Sequence, residues 1–200
     1  QIVLEAVAIL EERRDAAQAA ESAKLLQERR DFLENDPNAP FIGNPDASAV
    51  IVEFFDYNCP YCKRAAADIK ALLAADSDVR VVHREWPILG EGSVYAARAA
   101  LAAREQGRYE DMHWALMEMR GRAEEASILA AARNLGLDVE KLLADMQSDA
   151  VNAHIAASLE LAEGLGITGT PAFVVGDVLA PGAVPLAELQ ALVAQARQDG

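Results

Sequence analysis

Apolar positions fall into three kinds of run along this chain. From Ile2 to Glu34 there is no Gly or Pro, and Ala, Glu, Leu, Arg and Gln dominate. These are strong helix formers, so the stretch predicts one leading helix of roughly 50 Å at about 1.5 Å per residue. Its start, Ile2-Val3-Leu4 with Val7, Ile9 and Leu10, is apolar almost all round, whereas Glu11 to Gln27 is charged and alanine-rich. An apolar tip on a polar stalk needs a partner. Its own domain or identical tips from other subunits would supply one, and the heptad pattern is too weak to set a number. The second kind of run is short and continuously apolar. Ala49 to Phe55, Val79 to Glu85 and Ala172 to Val175 read as buried strands, the last leading through a Gly176-Asp177 turn to Val178-Leu179. The third kind has helical spacing: Pro60 to Ala75, then Ser93 to Leu165 in four or five pieces, then Leu186 to Gln198.

Asn35-Asp36-Pro37-Asn38-Ala39-Pro40 ends the leading helix and Gly43-Asn44-Pro45-Asp46 adds a turn, so a domain boundary is expected near residue 38. The order that follows is strand, helix, strand, helical block, strand, strand, helix. It describes an α/β domain.

Composition narrows the class. At 52% hydrophobic and 25% charged the composition is that of a folded globular protein, and 200 residues allow one full domain with an appendage or two small domains. With 18 basic against 32 acidic residues it opposes non-specific binding to nucleic acid or anionic lipid. No apolar run of about 18 residues is present to span a bilayer. No signal-like start is visible either, so the expectation is a cytosolic protein or a processed, mature chain.

The chemistry concentrates at Cys59-Pro60-Tyr61-Cys62, which holds both cysteines. A pair cannot form a disulfide scaffold, but this spacing lets two sulfurs meet across the first turn of a helix that directly follows a strand. Cys59 at the helix N-terminus faces free N–H groups and the macrodipole, which lower its pKa and make it the attacking thiolate. Pro60 suits the first helical position. Cys62, one turn in, would attack the mixed disulfide and release the substrate. Lys63 and Arg64 add positive charge nearby, and Asp56 would act in the opposite direction. The alternative is a metal role. Zinc needs four ligands, and there is no second cysteine pair; His83, His113 and His154 are scattered and read as core or surface residues. Two thiolates could still carry Cu(I). No zinc-type metal site and no cofactor is expected.

Glu53 interrupts an apolar strand. Alternation places it either under the active-site helix, where a raised pKa would let it exchange the Cys62 proton, or on a solvent face. Thr170-Pro171 precedes the third long strand. A cis bond there would expose the Thr170 backbone to an extended substrate, although a trans loop proline is the commoner reading.

The stretch Val52-Glu53-Phe54-Phe55-Asp56-Tyr57-Asn58-Cys59-Pro60-Tyr61-Cys62-Lys63, together with Gly169-Thr170-Pro171-Ala172-Phe173, resembles the DsbA-like branch of the thioredoxin superfamily. The leading helix, the Gly43-Asn44-Pro45 turn and the Phe-Phe-Asp-Tyr-Asn-Cys run are most similar to the suppressor-of-copper-sensitivity (ScsC) type. The resemblance implies an α/β fold with a thioredoxin-like core, an inserted helical domain and an N-terminal helical arm. The expected division is 1–37 as oligomerisation arm and linker, 38–92 plus 166–200 as the thioredoxin-like domain, and 93–165 as the insertion. It implies that Cys59 is the nucleophile, Cys62 the resolving cysteine, Glu53 the buried acid, Pro60 and Tyr61 the potential-tuning dipeptide, and Thr170 and Pro171 the substrate-contacting cis-proline loop. Strongly oxidising members carry His where this chain has Tyr61, so a less stabilised thiolate and a less oxidising couple are expected. The implied activity is thiol–disulfide exchange on protein substrates: an oligomeric disulfide isomerase, with a monomeric or dimeric dithiol oxidase and a Cu(I) carrier as alternatives. A homotrimer through residues 1–36, a membrane reductase of the DsbD or ScsB kind, a link to copper resistance and a periplasmic location come with the resemblance.

Overall fold

The computed structural model describes residues 2–199, with the side chains of residues 2–6, 8, 11, 15 and 199 outside the described set. Ile2, Val3 and Leu4 of the expected apolar tip fall among these. The elements are α1 (Ile2–Asn35), β1 (Phe41–Gly43), β2 (Ala49–Phe55), α2 (Pro60–Ala75), β3 (Val79–Glu85), α3 (Glu91–Ala103), a 3₁₀ turn (Arg104–Gln106), α4 (Tyr109–Met117), α5 (Glu125–Asn134), α6 (Val139–Asp145), α7 (Asp149–Gly164), β4 (Ala172–Val175), β5 (Val178–Pro181) and α8 (Leu186–Asp199). The α/β class, the thioredoxin-like core and the leading helix are as the sequence implies. Strand β1 was read only as part of a turn. Two residues, Phe41 and Ile42, between Pro40 and the Gly43-Asn44-Pro45 turn leave no apolar run to detect.

The five strands lie in the order β1-β3-β2-β4-β5. β2 and β3 are parallel, joined by α2 as such a crossover requires, and the other pairs are antiparallel. Register places Glu53 beside His83 on one side and Phe173 on the other, in the middle of the sheet. Alternation then divides the strands. Ile51, Val81 and Phe173 face α2 and α8 through Ile69, Leu72, Leu189 and Val193. Val52, Phe54, Val82 and Val174 face α1 and α7 through Leu26, Leu33, Leu161 and Leu165. A third cluster runs from Phe55, Tyr57 and Cys62 into the helical block, where Met112, Leu116, Ile128 and Leu142 form its centre. No helix among the described residues is long and apolar enough to cross a membrane.

Helix α1 has two physical characters. In its first turns Val7, Ile9 and Leu10 are exposed, at 44%, 49% and 65%. From Ser22 onward it belongs to the core. Ser22 Oγ donates to Leu165 O at 3.0 Å, and Leu26 and Leu33 are buried against the sheet. Its end is fixed by Arg84, a fully buried side chain on β3. Arg84 Nη1 donates to Asp36 Oδ2 at 2.7 Å, Nη2 reaches the Phe32 and Leu33 carbonyls, and the guanidinium lies 5.0 Å from the Phe32 ring centroid.

Removing one partner of a buried ion pair leaves an uncompensated charge. Asp36→Ala is therefore expected to destabilise the fold by about 3–5 kcal/mol in urea unfolding. Leu33→Ala should cost about 2–5 kcal/mol by the same measurement. Values near zero would mean that this end of α1 does not belong to the core.

Candidate active site

Strand β2 runs into a short loop and then α2. The chain turns there because the Asp56 carboxylate takes three backbone N–H groups: Asn58 at 2.7 Å, Ile88 at 2.8 Å and Leu89 at 2.9 Å. Asp56 is thereby committed to holding the loop. Asn58 ties the same loop to the helical block: its amide donates to Ser93 Oγ and Ala123 O, and its carbonyl accepts Ala123 N–H at 2.7 Å. Gly92 allows this close approach, because a Cβ there would lie 2.3 Å from the Ala123 carbonyl oxygen. Lys63 adds a third tie, donating to Met119 O at 2.6 Å and Gly121 O at 3.0 Å.

Cys59 occupies the N-cap of α2 with extended backbone (φ −78°, ψ 119°) and Pro60 follows at N1. The Cys59 sulfur sits at this open end of the helix, facing the Tyr61 and Cys62 backbone amides. Both cysteines are reduced and buried. The Cys59 thiol is lowered to about 5. The largest cause is the hydrogen bond from Cys62, opposed by burial and supplemented by the Thr170 side chain and the Cys62 and Tyr61 backbone amides. The value lies between about 3.5 for the most oxidising enzymes of this chemistry and about 7 for thioredoxin. Cys62 is pushed far upward, first by burial, then by its bond to Cys59 and the nearby Glu53. One sulfur is thus held as thiolate and the other as thiol. Lys63 and Arg64, expected to supply positive charge, are used elsewhere: Lys63 binds the two carbonyls above, and Arg64 stacks on Tyr61 at 4.5 Å.

Glu53 lies on the sheet face under α2 and is 1% exposed. Burial raises its pKa to about 8, with Glu85 and Cys59 adding to the shift. Around it is a buried polar cluster that sequence reasoning missed. His83, His113 and His154 are all fully buried here, with Glu85, Tyr57 and Tyr109. Tyr109 donates to Glu85 Oε1 at 2.6 Å, His154 Nε2 lies 2.6 Å from Glu85 Oε2, and Tyr57 Oη meets His113 Nδ1 at 3.1 Å. Three strands and helices distant in sequence bring these histidines together, so their spacing carried no signal. The unusual number of polar residues in apolar runs, Glu53, His83 and Glu85, was the available sign.

The Thr170-Pro171 peptide is cis, in contrast to the commoner trans reading of an isolated X-Pro. Thr170 O lies 3.3 Å from Cys59 Sγ, within reach of the thiol as donor. Beside it opens a groove of about 1010 Å³ lined by Tyr61, Arg64, Asp68, Ile167, Pro171 and Leu179, among others. Tyr61 is half-exposed at its mouth. The structure therefore gathers Cys59, Pro60, Tyr61, Cys62, Glu53, Thr170 and Pro171 into one place, although the first and last are 112 positions apart. Among the described residues no group of three or more His, Cys, Asp or Glu side chains is arranged to hold a metal ion.

Known proteins are similar to this chain in sequence and, where solved, in fold. A thioredoxin-like oxidoreductase from Silicibacter pomeroyi DSS-3 is 59% identical, with a TM-score of 0.83 over 84% of this chain and 98% of that one. A linker-deletion mutant of ScsC from Proteus mirabilis is 33% identical, with a TM-score of 0.88 over 100% of this chain and 93% of that one. The Na(+)/H(+) antiporter NhaA 1 of Salinispora arenicola is 30% identical over 164 residues; the match covers 80% of this chain, which spans only 25% of that relative's length. A model of the DSBA-like thioredoxin domain matches residues 50–194, and the chain belongs to that family.

Proposed function

We propose that the protein is a thiol–disulfide oxidoreductase acting on protein disulfides, with Cys59 as nucleophile and Cys62 as resolving cysteine. The observation that carries this reading is the split between the two sulfurs. Cys59 is held as thiolate at a helix N-terminus, Cys62 is held as thiol one turn deeper, and the Thr170 carbonyl lies 3.3 Å from the Cys59 sulfur. Cys59 attacks a substrate disulfide while the substrate backbone pairs with the Thr170-Pro171 edge and a side chain enters the groove. Cys62 then displaces the substrate, giving its proton to Glu53. Pro60 and Tyr61 tune the couple from between the cysteines. A disulfide-exchange protein belongs in an oxidising compartment, and we place it in the periplasm. Its similarity to antiporters covers a quarter of their length and brings no transport into the proposal.

Within this class we favour a disulfide isomerase working as a homotrimer, kept reduced by a DsbD- or ScsB-type membrane reductase. Isomerisation needs a reduced thiolate, which the low Cys59 pKa supplies at neutral pH, and it gains from several sites facing one cleft. The exposed Val7, Ile9 and Leu10 give the assembly surface. A dithiol oxidase is the second reading, because stabilising the thiolate also stabilises the reduced form and makes the disulfide the better oxidant. The strongly raised Cys62 opposes the Cu(I) carrier, which needs both sulfurs as thiolates.

Packing of α1 decides how the assembly is tested. Removing residues 1–36 would strip Leu26, Leu33 and Asp36 from the core. Removing 1–16 leaves the packed half intact, and light scattering should then show monomers. The full chain is expected to recover activity from scrambled ribonuclease, and the 1–16 deletion to lose that recovery while still reducing disulfides. A full chain that reactivates only reduced ribonuclease, by introducing disulfides, is an oxidase.

Thiolate absorbance at 240 nm should titrate with a midpoint near 5 for Cys59. Cys62→Ser should trap mixed disulfides on Cys59, and Cys62→Ala should move that midpoint upward, because the Cys62 hydrogen bond is its main stabiliser. The folded Cys59 value lies below the unfolded one. The reduced fold therefore has its full stabilisation from this group above about pH 8.5 and loses it as pH falls through about 5. Denaturant midpoints of the reduced protein, compared with Cys59→Ser between pH 4 and 9, measure this. A flat difference would show that Cys59 is an ordinary thiol.

A further inference from the structure

Glu53 as base poses a difficulty that the surrounding cluster answers. Its raised pKa leaves it mostly protonated at neutral pH, so it has to lose its own proton before it can take the one on Cys62. We propose that His83 is the positioning residue that accepts the Glu53 proton, so that the two side chains together store the proton released when Cys62 attacks. The inference rests on the thiol–disulfide reading above.

The geometry singles out this pair. Glu53 and His83 are directly paired in the β2–β3 register, and His83 Nε2 lies 3.6 Å from Glu53 Oε2. That is just beyond a hydrogen bond, as resting catalytic contacts often are. Both carboxyl oxygens and both ring nitrogens are buried without a hydrogen-bond partner. Such groups are costly unless something uses them. The other two histidines each have one ring nitrogen engaged, His113 Nδ1 by Tyr57 Oη and His154 Nε2 by Glu85, whereas His83 has neither. His83 packs against His113 with ring centroids 4.2 Å apart, which holds the ring. Other titratable groups facing it come from each packed element: Glu85 on its own strand, Tyr109 and His113 on α4, and His154 on α7. Lys70 on α2 acts on His113. Cys59 acts on Glu53, and Glu53 acts on Cys62. Burial, with His154, lowers His83 to about 4, so at rest it is neutral and has a nitrogen free to accept; an ionised Glu53 3.6 Å away would raise the ring's affinity for the proton. A transient positive charge on it is matched by the Glu53 carboxylate it leaves; Glu85 favours that charge and His154 opposes it.

With glutathione disulfide as substrate the step balances. The Cys59 thiolate attacks one sulfur, forming the mixed disulfide and releasing one glutathione thiolate. Glu53 passes its proton to His83. Cys62 sulfur then bonds to Cys59 sulfur, the Cys59–glutathione bond breaks, and the second glutathione leaves as thiolate. The Cys62 proton goes to Glu53. One extra proton remains on the pair and returns to solvent; the cysteines are oxidised and glutathione is reduced.

The test separates the two attacks. Reduced full-length protein is mixed with saturating glutathione disulfide, quenched in acid, and the glutathionylated species is followed by mass. His83→Leu should leave its formation by Cys59 unchanged and slow its decay by about 10- to 100-fold at pH 6. The deficit should shrink with rising pH and vanish above about pH 8.5, where Glu53 is ionised without help. His83→Gln, which keeps the polarity but cannot hold the proton, should give the same profile and covers a folding defect in the leucine variant. Decay at the wild-type rate at pH 6, or a deficit equal at every pH, overturns the proposal. Glu53→Gln should be slow at every pH. If it is instead as fast as wild type, the role of Glu53 fails and His83 falls with it; if it is slow while His83 variants are not, only the His83 inference fails.

Discussion

Three acids share a buried space that can hold one negative charge. Burial opposes ionisation of Cys59, Cys62 and Glu53 alike; Cys59 further raises Cys62 and Glu53, and Glu53 raises Cys62. The charge settles on Cys59 because the compensating donors are aimed there: the Cys62 thiol, the Thr170 side chain and the first amides of α2. The other two are neutral as a consequence. The roles proposed for Cys59, Cys62 and Glu53 therefore rest on one electrostatic assignment, set by the strand-to-helix junction. Glu53 need not be deprotonated at rest, and an ionised Glu53 beside a thiolate would work against the nucleophile.

That assignment requires the junction to stay fixed, and the helical block fixes it. Asp56 holds the loop from inside, while Asn58 and Lys63 tie it to Ala123, Met119 and Gly121 in the connection between α4 and α5. The insertion therefore holds the redox turn as well as covering it. It also closes the polar cluster from above, since Tyr109 and His113 come from α4 and His154 from α7. A thioredoxin-like sheet alone would leave Glu85 and His83 facing water and would lose the desolvation that shifts Glu53.

What the sequence made legible was local. The strands β2, β3 and β4 announce themselves as apolar runs, and the Cys59–Cys62 spacing at a strand-to-helix junction carries the chemistry in a dozen residues. Glu53 stood out because an acid in such a run is expensive. Illegible were features that exist only in three dimensions. The pKa split depends on which donors reach which sulfur, and Lys63, adjacent to Cys62 in sequence, turns away to bind carbonyls. The histidine cluster is assembled from β3, α4 and α7, so no spacing could reveal it. Strand β1 is defined by pairing with β3 and has no pattern of its own.

Helix α1 shows why composition misleads when a helix is only half committed. Ala-rich, charged sequence reads as a solvated stalk through Gln27, yet one face of its later turns carries Ser22, Leu26 and Leu33 into the sheet. Residues four and seven apart lie on one side of a helix, so a few side chains suffice to dock it while the remaining faces stay polar. Arg84 then fixes the end by satisfying the carbonyls of Phe32 and Leu33, which have no partner within the helix. An isolated helix of the exposed length is marginal in water. The docked half supplies its nucleus, and the exposed half extends from it. The exposed first turns are thus continuous with a segment anchored to β3 through Leu33 and Arg84.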